Sequence, residues 1–469
     1  MRILPPSGPA RLLAAAQLSN SVGDGAYYVS SALYFTGVAG LSPAQIGLGL
    51  TVAWAVGSVA GVPLGALADR RGPRGTAVLL ALAAAGAVAS FLLVDSFGAF
   101  LVAAVGYATA QCGLAAARQA LLAGLVAPEE RTGVLAHLQA VGNAGLAAGA
   151  AVGGLALHAG TREGFFAVFA LDALTFLLGA GLLWRVPAVA PAAASASAVA
   201  PAAGRAVRAA KTVAAGGGMV RAAEKAPAGG AGRREGVVPA DGAGRSAGTA
   251  AVGERRLAVL RDRPYALVTL LNAVLLLRLP LLSLVLPLWI VGRTDAPRWL
   301  VSGLFVLNTG AVMLFQVRTA RSVTGLAGAA RAVRSSGWIM LASCAVFALS
   351  AWRLGAWAGA AVLVAGAVLQ VVAEMRQSAG GWQIGFSLAP AHQMGQYQGF
   401  FGTGVPVART LGPLLLTSLV VAGGVPGWLL LGAVFLGAGY AMGPATRWAA
   451  DTRPPTPAPE PTRPLTRAA

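Results

Sequence analysis

The sequence predicts an all-α polytopic membrane protein with twelve transmembrane helices in two six-helix bundles and both termini in the cytoplasm. Three observations predict it. Only 11% of the 469 residues are charged, whereas a soluble globular chain carries about 25%. Apolar runs of the roughly 20 residues that a span requires recur along most of the chain. The basic residues are also one-sided. With the N-terminus inside and the long central loop set aside, sixteen Lys and Arg fall on the inner side against four outside, Arg162, Arg293, Arg298 and Arg353. Such a bias in short loops orients the helices. It also accounts for the net charge of +19 without nucleic acid as a partner.

The first span, about Leu12 to Val38, places Asn20, Asp24, Tyr27, Tyr28 and Ser31 on one helical face. A carboxylate at mid-membrane costs about 2.5–3.5 kcal/mol on insertion scales, so Asp24 should face a polar cavity or a partner. It reads either as a proton- or cation-responsive group or as a structural carboxylate held by neighbouring hydroxyls. A run this long and this polar suits a retained span better than a cleavable signal core. Span 2, about Gln45 to Leu67, carries Gly57, Gly61 and Gly65, a smooth strip that lets another helix approach. It ends in a dense charged turn, Asp69-Arg70-Arg71-Gly72-Pro73-Arg74.

Span 3 is about Thr76 to Val94. Span 4, about Phe100 to Leu125, carries Gln111, Cys112 and Arg118. Span 5 follows Pro128-Glu129-Glu130-Arg131 and sets Gly142, Gly145, Gly149 and Gly153 on one face, with Gly154 beside them. That face should pack tightly on a helix that moves against it. Span 6, about Gly164 to Trp184, aligns Phe165, Phe169, Asp172 and Phe176.

Residues 187–263 are rich in Ala, Gly, Pro and Arg and nearly free of aromatics. Such a segment cannot bury enough apolar surface to fold, and it reads as a disordered basic cytoplasmic linker. Six further spans are expected at about 265–291, 298–317, 336–352, 355–375, 398–421 and 427–446. They place Arg278 near the centre of span 7, Glu374 at the inner end of span 10 and Arg409 in mid-span 11. The chain therefore divides into a bundle at 1–186, the linker at 187–263, a second bundle at 264–448 and a disordered cytoplasmic tail at 449–469. A weak repeat supports two halves. Ala127-Pro128, Gly133 and Gly142 recur as Ala389-Pro390, Gly395 and Gly404 at a constant offset of 262.

Cys112 and Cys344 both fall within expected spans, so neither a disulfide framework nor a metal site is expected. No nucleophile triad or phosphate-binding glycine loop is present, and neither an enzyme nor a cofactor is expected.

Gly65-x-x-x-Asp69-Arg70-x-Gly72-x-Arg74, between spans 2 and 3, resembles the signature loop of the major facilitator superfamily (MFS). Pro73 stands where that loop is usually basic. Gly145-x-x-x-Gly149-Ala150-x-x-Gly153-Gly154 resembles the antiporter motif of the exporter branches, with Ala150 in place of the usual proline. The arginine that drug:proton antiporters carry in span 4 is absent, Thr109 standing there. The resemblance covers the membrane portion. It implies the MFS fold, a cavity that includes Asp24, Arg278 and Arg409 and leaves Asp172 outside, and a turn at Asp69 that locks the outward-facing state.

The function expected is proton-coupled efflux of a drug-like or secondary-metabolite compound by alternating access. The partners are then the bilayer, a small-molecule substrate and a proton, and the chain is a monomer. Asp24 would take the proton, beside Asn20, Tyr27 and Tyr28, with Arg278 as its countercharge. The arginine-rich composition suggests a bacterial plasma membrane. The alternatives are an importer of an anionic metabolite held by Arg278 and Arg409, or a non-transporting membrane sensor or assembly protein.

Overall fold

A computed structural model describes residues 8–159, 161–189, 258–297, 299–352 and 355–453. Of the linker expected at 187–263, residues 190–257 lie outside the described residues, while 258–261 form a helical turn and α7 starts at Arg263; of the tail expected at 449–469, the part beyond 453 lies outside them, as do Arg298 and Arg353. The first half contains α1 (Pro9–Gly37), α2 (Pro43–Arg71), α3 (Pro73–Ser90), α4 (Phe97–Leu125), α5 (Arg131–Ala159) and α6 (Arg162–Trp184). The second contains α7 (Arg263–Arg293), α8 (Leu300–Arg321), α9 (Gly325–Leu349), α10 (Ala356–Leu388), α11 (Ala391–Ala422) and α12 (Gly424–Asp451). Among the described residues, eleven of these helices are long and apolar enough to cross a membrane. The exception is α1, which has the length, 29 residues, but carries Gln17, Asn20, Asp24 and a Tyr27-Tyr28 pair.

Local chemistry sets the helix ends. Ser42 caps α2 by accepting from the Gln45 amide while the Gln45 side chain accepts from the Ser42 amide, with Pro43 at the first helical position. Asp262 caps α7 through the Tyr265 amide at 3.0 Å. Gly72 joins α2 to α3 at φ 99°, a left-handed conformation open to glycine at no steric cost. Both α7 and α11 pass through π-helical turns, at Leu281–Val285 and Thr417–Ala422. Each turn follows a proline, Pro280 or Pro413, that removes a backbone donor.

Two boundaries differ from expectation by more than ten residues. Helix α9 begins eleven residues before 336, and α10 runs thirteen residues beyond 375. Arg331, Arg334 and Arg376 therefore lie on helices rather than in loops, and Glu374 is well inside α10. Charge ends a hydropathic run, but it does not end a helix whose polar side faces a cavity or another helix.

Within the first half α1 packs on α5 and α6, α2 on α4, and α3 on α4 and α6. Its core is aromatic: Tyr27, Tyr34, Phe35, Phe91, Phe100, Tyr107 and Phe169 are buried. The Tyr34 and Phe169 ring centres lie 4.5 Å apart. The span-5 glycines pack here as well. A Cβ on Gly149 would fall 1.9 Å from the Val22 carbonyl oxygen, and one on Gly145 2.8 Å from Ser21. Gly153 lies against Ala26, whereas Gly154 meets nothing within 4 Å. Their partner is thus α1 of the same half, not a helix of the opposing bundle as a moving interface would require. The halves meet where α2 and α4 touch α11 and where α5 touches α8 and α10.

Candidate functional site

A cavity of about 390 Å³ lies between the halves, walled by α1, α2 and α4 on one side and by α7, α10 and α11 on the other. Asp24 is on its wall. The Tyr107 hydroxyl donates to Asp24 Oδ1 at 2.9 Å, and Gln111 Nε2 donates to the same oxygen at 3.1 Å. Tyr107 and Gln111 are one turn apart on α4 and bonded to each other at 2.9 Å. Tyr28, Trp54, Trp382 and Phe401 supply aromatic wall, and Gln17, Asn272, Gln377 and Gln398 supply amides.

The five-residue face read from α1 divides in two. At 100° per residue, Asn20 and Tyr27 lie about 40° and 60° to one side of Asp24, and Tyr28 about 40° to the other. Tyr28 lines the cavity. Asn20, 2% exposed, turns to α6, where its amide nitrogen, in the orientation that satisfies both ends, donates to the Thr175 carbonyl at 3.2 Å. Tyr27 is buried among Phe91, Tyr107 and Phe169. These two are packing residues, not cavity residues. Asp172 is fully buried on α6, close to Gly23, and among the described residues neither of its carboxyl oxygens has a hydrogen-bond partner.

Arg278 also departs from expectation. It sits behind the cavity wall, 6% exposed, in an ion pair with Glu374 at 3.0 Å. Its Nε donates to Gln377 at 3.1 Å and its Nη2 to Ser378 at 3.0 Å. Gln377 in turn donates to Asn272 at 3.0 Å. Its countercharge is therefore Glu374 of the same half and not Asp24. Arg409 does reach the cavity, as does Arg118, whose Nη1 donates to Gln17 at 2.8 Å.

The charged turn makes its main contact across the halves. Asp69, 8% exposed, accepts from the amides of Gly395 at 2.7 Å and Gln396 at 2.9 Å. They belong to the first turn of the α-helical part of α11, which starts at Met394 after the tighter turn Ala391–Gln393, where amide donors lack intrahelical carbonyl partners. The helices can come this close because both carry glycine. A Cβ on Gly65 would stand 2.1 Å from the Gly395 carbonyl oxygen, and one on Gly395 2.4 Å from that of Gly65. A second bond at the same end, from Thr132 Oγ1 of α5 to Gln383 Oε1 of α10, spans 2.6 Å.

The sequence pattern described as Major Facilitator Superfamily matches residues 13–413. The chain belongs to this superfamily. Solved MFS structures share its fold. A bacterial homologue of the iron transporter ferroportin, in an outward-facing state, is 15% identical, covers 96% of this chain and 100% of its own, and has a TM-score of 0.66. The human organic anion transporter MFSD10 is 15% identical over 92% and 98%, with a TM-score of 0.56. The E. coli fucose:proton symporter is 13% identical over 94% and 98%, at 0.55. No curated protein matches the sequence.

Arg74 of the MFS loop is directed elsewhere. Arg74 donates to the Val186 carbonyl at 3.2 Å and lies over the Trp184 ring at 5.2 Å, tying α3 to the end of α6. Arg70 is exposed. Both hydrogen bonds to Asp69 thus come from α11 of the opposite half. Sequence reasoning missed Tyr107, whose one-turn spacing from Gln111 was a usable signal. It also missed Gln377, Ser378 and Trp382, which lie past the expected end of span 10 at 375.

Proposed function

We propose that this MFS protein is a secondary active transporter, with twelve spans and both termini cytoplasmic, that moves a small molecule by alternating access. Asp24 serves as its proton-coupling carboxylate. The observation that carries this reading is Asp24 on the wall of the inter-half cavity, bonded to Tyr107 and Gln111. There it can exchange a proton with cavity water while sensing what the cavity holds. In this reading the contact between Asp69 and α11 latches the cytoplasmic end shut, and the protein works as a monomer in a bacterial plasma membrane. The test is flux into proteoliposomes under an imposed proton gradient. Asp24→Asn should abolish gradient-driven accumulation while leaving exchange at equal concentrations. Unchanged accumulation and pH dependence would refute the coupling role.

Efflux of a drug-like compound draws on the aromatic wall and on the glycine face of α5. Those glycines are accounted for by packing on α1, so they carry no direction. The second reading, movement of an anionic metabolite, is favoured by Arg409, which is exposed to the cavity. The structural neighbours handle iron, organic anions and fucose, so the shared fold leaves cargo to the cavity's own side chains.

A further inference from the structure

Three charged side chains reach the central cavity, namely Asp24, Arg118 and Arg409. Arg278 is neutralised behind the wall by Glu374. The wall therefore carries one basic group in excess. Arg118 and Arg409 belong to opposite halves, on α4 and α11, and both lie within electrostatic reach of Asp24. Neither forms an ion pair among the described residues. When the halves close over the cavity its water leaves, and a guanidinium without a counter-ion becomes costly to enclose. An anionic group beside it removes that cost, so the filled cavity closes more readily than the unfilled one. The aromatic wall of Tyr28, Trp54, Trp382 and Phe401 fits an apolar body attached to that group.

We propose that the substrate is an amphipathic organic anion, its carboxylate or sulfonate held by Arg409 and Arg118, and that it travels in the same direction as the proton on Asp24. The second part follows from charge. With Asp24 ionised the wall holds one net positive charge, and protonation makes it two. An anion binds the protonated form better, and by reciprocity the loaded form binds the proton better. Ligands that reinforce each other occupy one state and cross together, whereas exchange requires each to displace the other. The groups that face Asp24 are Tyr107 and Arg118 on α4, Arg409 on α11, Tyr27 and Tyr28 on its own helix, and Asp172 on α6. Helix α2 presents Trp54 and Ser58, which do not titrate, and α5 packs glycines there. Asp172 is sealed from the cavity, so its charge state leaves the sign of the coupling unchanged.

The inference rests on the cavity being the transport site, and the test separates the two. Calorimetric titration of the full chain in nanodiscs compares naphthalene-2-sulfonate, ionised at every pH used, with uncharged naphthalene-2-sulfonamide. The sulfonate should bind about tenfold tighter. Its affinity should fall as pH rises from 5 to 8, with proton uptake on binding, and the pH dependence should vanish in Asp24→Asn. Arg409→Gln should bring the two compounds to parity. Arg409→Lys, which keeps the charge and loses the planar fork, should retain part of the preference and controls for misfolding. Equal affinities, a sulfonate preference that survives Arg409→Gln, an affinity that rises with pH, or no sulfonate binding at millimolar concentration each overturn the proposal. Equal affinities together with a coupling defect in Asp24→Asn flux would sink the anion and leave the coupling role of Asp24 standing. A retained sulfonate preference with fully coupled Asp24→Asn flux would sink the coupling role and leave the anion.

Discussion

Removing the Asp69 carboxylate should unlatch the end of the bundle that carries the α2–α3 turn. The carboxylate accepts two amide bonds, at 2.7 and 2.9 Å. A hydrogen bond to a charged group contributes about 1.5–3 kcal/mol when buried, and an anion at a helix N-terminus about 0.3–1 kcal/mol more. Once the end opens, water replaces those donors, so only the difference acts on the equilibrium. We expect Asp69→Ala to shift it by about 2–4 kcal/mol, at least roughly 30-fold in population. Asp69→Asn keeps one oxygen acceptor without the charge, and should shift it by about 1–2 kcal/mol. Spin labels at Glu129→Cys and Ala391→Cys, both exposed and on opposite halves, would report the separation in a background with Cys112 and Cys344 replaced by alanine. A longer-distance population should appear in the order wild type, Asn, Ala. Identical distance distributions in all three would refute the latch, because two lost charged bonds must then have been worth nothing to the closed state.

Three further outcomes are expected. Glu374→Ala strands a 6%-exposed Arg278 and should cost about 3 kcal/mol, the low end for a broken buried pair because Gln377 and Ser378 remain; thermal unfolding in detergent would measure it. Gly149→Ala forces a methyl to within 1.9 Å of the Val22 carbonyl and should cost about 1–3 kcal/mol through separation of α1 from α5, seen as lower thermal stability. Asp262→Asn removes the Arg453 ion pair at 3.2 Å and weakens the Tyr397 bond at 2.9 Å. These groups are partly exposed, so the loss is about 1 kcal/mol, and the same spin-label pair should open less than in Asp69→Asn.

The helices and the superfamily were legible because hydropathy, arginine asymmetry and the turn at Asp69 are properties of short stretches. The place of Asp24 on the cavity wall was legible for the same reason, as a carboxylate in an apolar run needs polar surroundings. What a single helix could not show was which neighbour each side of its polar face would meet. Asn20 and Asp24 differ by only about 40° around α1, yet one packs on α6 and the other faces the cavity. Arg278 was misread because its partner Glu374 is 96 residues away, at the expected end of span 10 and in fact well inside α10. The charged turn at Asp69 was visible, but its hydrogen-bond donors are 326 and 327 residues distant, beyond any local pattern.

The start of α11 is held from both halves, and the two holds differ in kind. On the first-half side, Asp69 and the Gly65–Gly395 contact exist only while the halves touch. On the other side, Tyr397 donates to Asp262, Arg453 pairs with Asp262, and Tyr265 stacks edge-on to Tyr397 at 4.7 Å. All of that second set lies within one half. Opening this end must break the first set and the Thr132–Gln383 bond, but it can leave the second intact. In the proposed cycle helix α11 stays with its own half, as rocking transport requires. The same helix carries Arg409 into the cavity, fourteen residues or about 21 Å of helix from Gly395. It is interrupted between them at Thr403, where Met394–Gly402 ends and Gly404–Leu416 begins. On the proposed reading, an anion on Arg409 and the latch at Asp69 therefore act on one helix, and the interruption at Thr403 divides the segments that each holds.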